Sequence, residues 1–280
     1  MAKKIEDIKS YYRTKESSWG YSFLLKGVRH FGYYPEGKED ISINEAQYIM
    51  LDKVAEKLEL QRGAKILDAG CGEGDSAVYL SKKYGFEMYG IDLLKESIKK
   101  AKLNSRKAGT DVKFEVGDYS RTSFPDNYFD AVYTLETLVH SPDYRETLRE
   151  FYRVLKPGGI LFLVEYTLKP FDDWDKKSKE VMQKIIEGSS MHALPSFIHG
   201  EFKNILNNAG FIEAQVENNT QRIIPMTKRF KNWAIIPYQL IKAWGVEKKF
   251  INTTWGANHY DLAKEDKWRY VFVRAKKPKD

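Results

Sequence analysis

AKILDAGCGEGDSAVYL, residues 64–80, begins as a short apolar strand, turns through Gly70, Gly72 and Gly74, and continues with apolar residues at helical spacing. Glycines at a strand-to-helix turn allow tight curvature, and without a Cβ the backbone lets a ligand approach closely. Outward from this stretch the same rhythm recurs. Strand-like runs lie at AKILDAG (64–70), EMYGID (87–92), VKFEVGD (112–118), FDAVYTLE (129–136) and GILFLVEYTL (159–168). Between them, DSAVYLSKKYG, LLKESIKKAKLNSRKAG and PDYRETLREFYRVLKPGG have helical periodicity and stop at glycine or proline. This alternation predicts a doubly wound α/β fold with a parallel sheet. Beyond residue 170 the pattern loosens into a helix over 171–188, another around 199–210, a strand FIEAQVEN, an aromatic-rich segment 226–256 and a last strand WRYVFVRAKK.

The chain has 280 residues, 42% of them hydrophobic, enough for one large domain carrying a cap. No run approaches the roughly 18 apolar residues of a membrane span, and MAKKIEDIKSYY lacks a signal-peptide core. A cytoplasmic protein is therefore expected, and the single cysteine, Cys71, suits a reducing compartment. Of the net charge of +7, residues 222–280 carry 14 Lys/Arg against 5 Asp/Glu, so the remainder is slightly acidic. Such a tail is either a solvated face or an attraction for nucleic acid, a membrane surface or an anionic substrate. The first 60 residues hold Tyr11, Tyr12, Trp19, Tyr21, Phe23, Phe31, Tyr33 and Tyr34. They either pack on the sheet edge or fold as a lid over the ligand crevice at the C-terminal ends of the strands.

The turn also satisfies a dinucleotide fingerprint, Gly72-x-Gly74-x-x-Ala77, with Asp92 closing the second strand where an acid would hold ribose hydroxyls. Asp92 would serve a nicotinamide dinucleotide or S-adenosylmethionine equally. Three later features separate the two: Gly117-Asp118-Tyr119 after the third strand, Phe124-Pro125-Asp126 before the fourth, and Leu155-Lys156-Pro157-Gly158-Gly159 before the fifth. With these in order, residues 62–168 resemble the class I S-adenosylmethionine-dependent methyltransferases. The resemblance implies a Rossmann-like, mostly parallel seven-stranded sheet with an antiparallel last strand, an N-terminal helical lid (1–60) and a cap inserted after strand five. The S-adenosylmethionine-binding domain would span 61–280, with the substrate cap at about 170–200 and 222–266. It also implies a methionine end of the cofactor against Asp68, Gly70, Gly72 and Gly74, ribose at Asp92 beside Leu93, adenine at Asp118 and Tyr119, and further cofactor contacts from Tyr33 and Ser42. For Asp68 and Asp118 a local capping role is the competing reading.

LETLVHSPD (135–143), HFGYYP (30–35) and EGSSMHALPSFIHGEFKNILNNAGF (187–211) are similar to small-molecule enzymes of this family that act on sterol side chains, tocopherol, phosphoethanolamine and natural products. The expected reaction is in-line methyl transfer to a small, partly apolar acceptor. His140 is base or substrate orienter, or alternatively caps the helix that begins near Pro142; Glu136 and Glu165 are catalytic partners. Tyr12, Tyr21 and Tyr34 would face the substrate. An N-methyltransferase of a phosphoethanolamine-type amine, with a tyrosine–histidine pair, and an O-methyltransferase of a sugar stay open. So does a non-catalytic cofactor-binding protein whose basic tail engages RNA or a membrane. A nucleic-acid base is not the expected acceptor, because Thr134 to Thr137 stands where the Asn/Asp-Pro-Pro-aromatic signature would lie. No metal is expected, since the five histidines form no pair at ligand spacing.

Overall fold

Strand and helix alternate because apolar runs of four to seven residues, bounded by glycine or a capping acid, cannot bury both faces alone and must pair in a sheet covered by helices. The computed structural model describes residues 2–14 and 30–279. The elements are α1 (Ala2–Arg13), α2 (Ile43–Leu58), β1 (Lys65–Ala69), α3 (Asp75–Tyr84), β2 (Glu87–Asp92), α4 (Lys95–Ala108), β3 (Lys113–Val116) and β4 (Phe129–Leu135). They continue with α5 (Tyr144–Val154), β5 (Leu155–Leu168), α6 (Lys176–Gly188), α7 (Phe202–Asn208), β6 (Ile212–Asn218), α8 (Thr220–Ala243), α9 (Ile251–Lys264) and β7 (Trp268–Lys276).

The sheet has the order β3-β2-β1-β4-β5-β7-β6, parallel from β3 through β5, with β7 antiparallel to both β5 and β6. The expected seven-stranded sheet with an antiparallel last strand is thus present. Strand order reverses between β1 and β4, and a crevice opens at the C-terminal ends of such a pair. The helices end as their sequences direct: Gly85 after α3 and Gly109 after α4 adopt φ of 71° and 69° and return their N–H groups to the last turn. Asp143 caps α5 by accepting from the N–H groups of Arg145 and Glu146.

Two expectations change. The helix preceding the fifth strand stops at Val154 rather than running to the LKPGG stretch. Pro157 holds the residue before it extended, and Leu155 already pairs with Phe129 across a bulge before pairing resumes at Ile160 and Ala131. The aromatic-rich segment 226–256 resolves into the end of α8 and the start of α9, which pack on each other as a hairpin despite Pro225 and Pro237 inside α8. In the first 60 residues, α2 buries Ala46, Met50, Leu51, Val54 and Leu58 against α3 and β5, while α1 lies over the crevice.

Candidate active site

The crevice is built first by three glycines, each with a different physical need. Gly70 has φ 92°, and a Cβ there would sit 2.7 Å from the Thr137 side chain, so it lets β1 and the turn after β4 approach. Gly72 has φ 54° with nothing within 4 Å of a virtual Cβ, so its open side faces the crevice. Gly74 has φ 83°, and a Cβ would meet Phe114 at 2.6 Å and Ala101 at 2.8 Å. Gly74 therefore serves helix–sheet packing, and its Cβ side is turned to Phe114 and Ala101 rather than to the crevice.

A cavity of about 120 Å³ opens beside this turn. Its walls include Asp68, Gly70, Gly72, Asp92, Leu93, Asp118 and Tyr119 from the strand ends, and Ile5, Ile8 and Tyr12 from α1. Both Asp92 oxygens are held: Oδ2 accepts from Gly72 N–H at 3.0 Å and Oδ1 from Leu94 N–H at 2.8 Å. Asp118 Oδ1 accepts from the N–H and hydroxyl of Ser120, the capping arrangement weighed against adenine recognition, yet the residue also faces the cavity. Asp68 is buried, its Oδ2 meets no partner among the described residues, and burial pushes its carboxyl up to about 7.

Around the other end stand Glu136, Thr137, His140 and His30. Glu136 has a positive φ of 60°, an uncommon conformation for a non-glycine residue. Its carboxyl accepts from Phe31 N–H at 2.7 Å, from the Tyr270 hydroxyl at 2.8 Å and from the Tyr166 hydroxyl, and burial still raises it to about 7. His140 Nε2 lies 3.0 Å from the Tyr12 hydroxyl and Nδ1 lies 3.2 Å from Ser190 O. A carbonyl only accepts, so the ring proton sits on Nδ1 and the Nε2 lone pair receives the tyrosine hydroxyl. Burial lowers His140 to about 4, so it is neutral near pH 7.

Other expected residues fall elsewhere. Glu165 is outside the cavity lining: its Oε1 accepts from Thr134 Oγ1, Thr137 N–H and Leu138 N–H, bracing the turn that presents His140. Through Oε1 this strand-end acid acts as a strut for the turn after β4. Tyr34 is buried with Arg229 against its hydroxyl, and Tyr33 packs on Phe272 under Lys53; neither lines the cavity. Ser42 caps α2 through Glu45 N–H, an ordinary helix start. Tyr21 lies outside the described residues. Conversely, His30, Thr137 and Ser190 went unread. Thr137 donates to Ala69 O at 2.7 Å, tying β4 to β1, and Ser190 reaches φ 53° to aim its carbonyl at His140. His30 Nδ1 is 2.9 Å from Phe31 O, its Nε2 is buried with no partner among the described residues, and the residue lines the cavity.

Residues 67–163 match a family model described as a methyltransferase domain. An S-adenosyl-L-methionine-dependent Diels–Alderase of Talaromyces variabilis is 32% identical over 279 residues, 97% of this chain and 94% of that one. A 24-methylenesterol C-methyltransferase of Arabidopsis thaliana is 32% identical over 185 residues, 65% of this chain and 49% of its own length. Among solved structures, a putative sarcosine dimethylglycine methyltransferase from Galdieria sulphuraria superposes with a TM-score of 0.78 at 22% identity, covering 96% of this chain and 100% of that one.

Proposed function

The chain belongs to the S-adenosylmethionine-dependent methyltransferases, enzymes of small molecules, and on that premise we propose that it methylates a partly apolar acceptor held beneath α1, with the Tyr12–His140 pair receiving any proton the acceptor loses. S-Adenosylmethionine is the cofactor of the family. The glycine turn suits it on three counts: Gly72 leaves backbone open to the cavity, the Asp92 carboxylate is already oriented, and Asp68 lines the cavity with a buried Oδ2 that has no hydrogen-bond partner among the described residues. Asp68 and the turn would hold the amino-acid end, Asp92 the ribose and Asp118 with Tyr119 the base. When bound, the cofactor supplies a methyl group already activated on a sulfonium.

The chain's own work is then alignment, exclusion of water and, for an O–H or N–H acceptor, proton uptake. Ile5, Ile8, Leu135 and Pro142 give the cavity an apolar wall suited to an isoprenoid or sterol-like body. The carrying observation is the 3.0 Å contact between Tyr12 and His140 Nε2. An acceptor proton passes to the phenol oxygen while the phenol's own proton moves to Nε2. His140→Ala is expected to lower turnover by a factor of about 10² to 10³, and Tyr12→Phe by about tenfold, with cofactor affinity unchanged in both. Labelled-methyl transfer to a panel of sterol, isoprenoid, quinol and amino-alcohol acceptors measures this. Full turnover of the His140 variant on an O–H or N–H acceptor would remove the pair from the reaction.

His30 offers the second polar contact. Its Nδ1 faces a carbonyl, so Nε2 presents a lone pair to the cavity, and burial keeps the ring neutral by lowering it to about 4. We expect His30→Phe, which keeps a ring in place, to raise the acceptor KM by about tenfold, the worth of one hydrogen bond, while S-adenosylhomocysteine affinity stays put. An unchanged KM makes His30 a packing residue.

One observation favours a second reading: the relative that spans 97% of the chain is named a Diels–Alderase. In that reading the cofactor is retained as structure while a polyene closes in the apolar cavity. Conversion of a polyene without release of S-adenosylhomocysteine distinguishes it from methyl transfer.

A further inference from the structure

The distal half of α8 has two apolar faces, and among the described residues only one of them is packed. Tyr238 and Ile241 are buried against Ala257 of α9. At 3.6 residues per turn, Trp233, Ile236, Pro237, Leu240 and Trp244 share a different arc of the helix. That arc faces outward: Trp233 is 48% exposed, Ile236 68%, Leu240 54% and Trp244, in the turn after α8, 76%. Phe250, at the start of α9, extends it with 42% exposure. Scattered exposed apolar residues need no explanation, but a contiguous stripe marks a surface for something to cover.

The charge around the stripe is predominantly positive, with Lys231 held by Asp261 at 2.6 Å. Residues 228–260 hold six Lys/Arg and one acid, Glu247. Glu247 is buried and paired with Lys184 at 2.9 Å. Lys242, Lys248 and Lys249 ring the tip, and the pairing of Lys248 with Glu187 at 3.1 Å is between exposed groups and therefore weak. Tryptophan beside aliphatic side chains, fringed by lysines on long stems, is the composition that settles at a lipid headgroup boundary. An anionic surface complements these cations, whereas a second copy meeting the same patch would set lysine against lysine. Nucleic acid would use the lysines but would leave Ile236 and Leu240 without a role.

We propose that the tip of the α8–α9 hairpin docks on anionic lipid bilayers through Trp233, Ile236, Leu240, Trp244 and Phe250, with Lys242, Lys248 and Lys249 over the headgroups. The contact is peripheral, since no described helix is long and apolar enough to cross a membrane. It also places the cavity. Tyr11 of α1 donates to Asn252 of α9 at 2.7 Å, and Ile251 lies against Gly188 of α6, so the tip adjoins the helix that roofs the cavity. Docking brings that roof to the bilayer, where an apolar acceptor dissolves. The proposal does not rest on which atom is methylated.

Sedimentation of the full chain with vesicles of phosphatidylcholine containing about a third phosphatidylglycerol tests it. The wild type is expected to pellet with these vesicles, and its tryptophan emission to be quenched by brominated acyl chains. Trp233→Ser/Trp244→Ser should reduce partitioning at least about tenfold, and Lys242→Glu/Lys249→Glu should abolish the preference for anionic over neutral vesicles. Because all four positions are exposed, the melting temperature should be unchanged, and the quenching of the wild type reads the contact without any substitution. A wild type that stays in the supernatant, a tryptophan pair variant that pellets equally well, lipid-free dimers that the same variant disperses, or binding to RNA in place of vesicles would each overturn the proposal.

Discussion

Replacing Asp92 with alanine is expected to raise the dissociation constant for S-adenosylhomocysteine by about two orders of magnitude. The carboxylate is preset by Gly72 N–H at 3.0 Å and Leu94 N–H at 2.8 Å, so neither the turn nor the acid has to be ordered when ligand arrives. Hydrogen bonds to charged groups contribute about 1.5–3 kcal/mol each, and about 1.4 kcal/mol is a factor of ten. Losing an acid that holds sugar hydroxyls therefore costs about a hundredfold before the loosened turn is counted. Asp92→Asn keeps one oxygen and should lie between, near tenfold. Calorimetric titration gives the constants, and melting of the ligand-free variants separates the turn's stability from the ligand's contacts. A dissociation constant for Asp92→Ala within about threefold of the wild type would leave the ribose with another partner and undo the cofactor assignment at this strand end.

The parts of this molecule that sequence announces are those whose causes are local. β1, its glycine turn and α3 follow one another within 20 residues, and the tips of β1 to β4 carry an acid or glycine that reads the same in any context. Gly74 shows the limit: its letter is legible as a glycine-turn residue, but whether it meets a ligand or Phe114 depends on β3, nearly 40 residues away. Ser42 shows the same limit from the other side, since a helix cap and a ligand contact both call for a hydroxyl. His30 and Ser190 lie in stretches that carry the family likeness, yet their roles were not legible, because a histidine nitrogen's lack of a partner among the described residues and a serine's left-handed backbone exist only after tertiary packing. Tyr12 was legible by composition alone, and its pairing with His140 joins residues 128 positions apart. The α8–α9 hairpin was hidden by Pro225 and Pro237, which oppose a helix locally and are outweighed by burial of Ile223, Met226, Tyr238 and Ile241 along the same helix.

Glu165 separates bracing from catalysis most sharply. Its Oε1 takes three donors, Thr134 Oγ1, Thr137 N–H and Leu138 N–H at 2.6–3.1 Å, while Oε2 has no partner among the described residues. Glu165→Ala strands those donors in a buried site, and at about 1–3 kcal/mol for each unmet group, partly relieved by relaxation, a loss of about 4 kcal/mol is expected. Glu165→Gln keeps the accepting oxygen but puts an amide with unmet N–H donors where an oxygen already lacks a partner, so it should cost about 1–2 kcal/mol, less than alanine. The pH dependence follows from the same burial. Burial raises Glu165 to about 8, with Asp68 and Glu136 near 7, so the stability they contribute is full below their unfolded values and is lost as pH rises through the folded ones. Burial lowers His30, His140 and His259 to about 4, so their contribution is full above 6.5 and is lost as pH falls toward 4. Between 6.5 and 8 the acids act alone, and the ligand-free protein should melt at progressively lower temperature over that range. Glu165→Gln, which cannot ionise, should flatten that slope and overtake the wild type above pH 8. Thermal melts of the three proteins across this range decide the matter: an alanine variant as stable as the glutamine one, or a wild-type profile that rises with pH, would return Glu165 to the list of groups free to act on the acceptor.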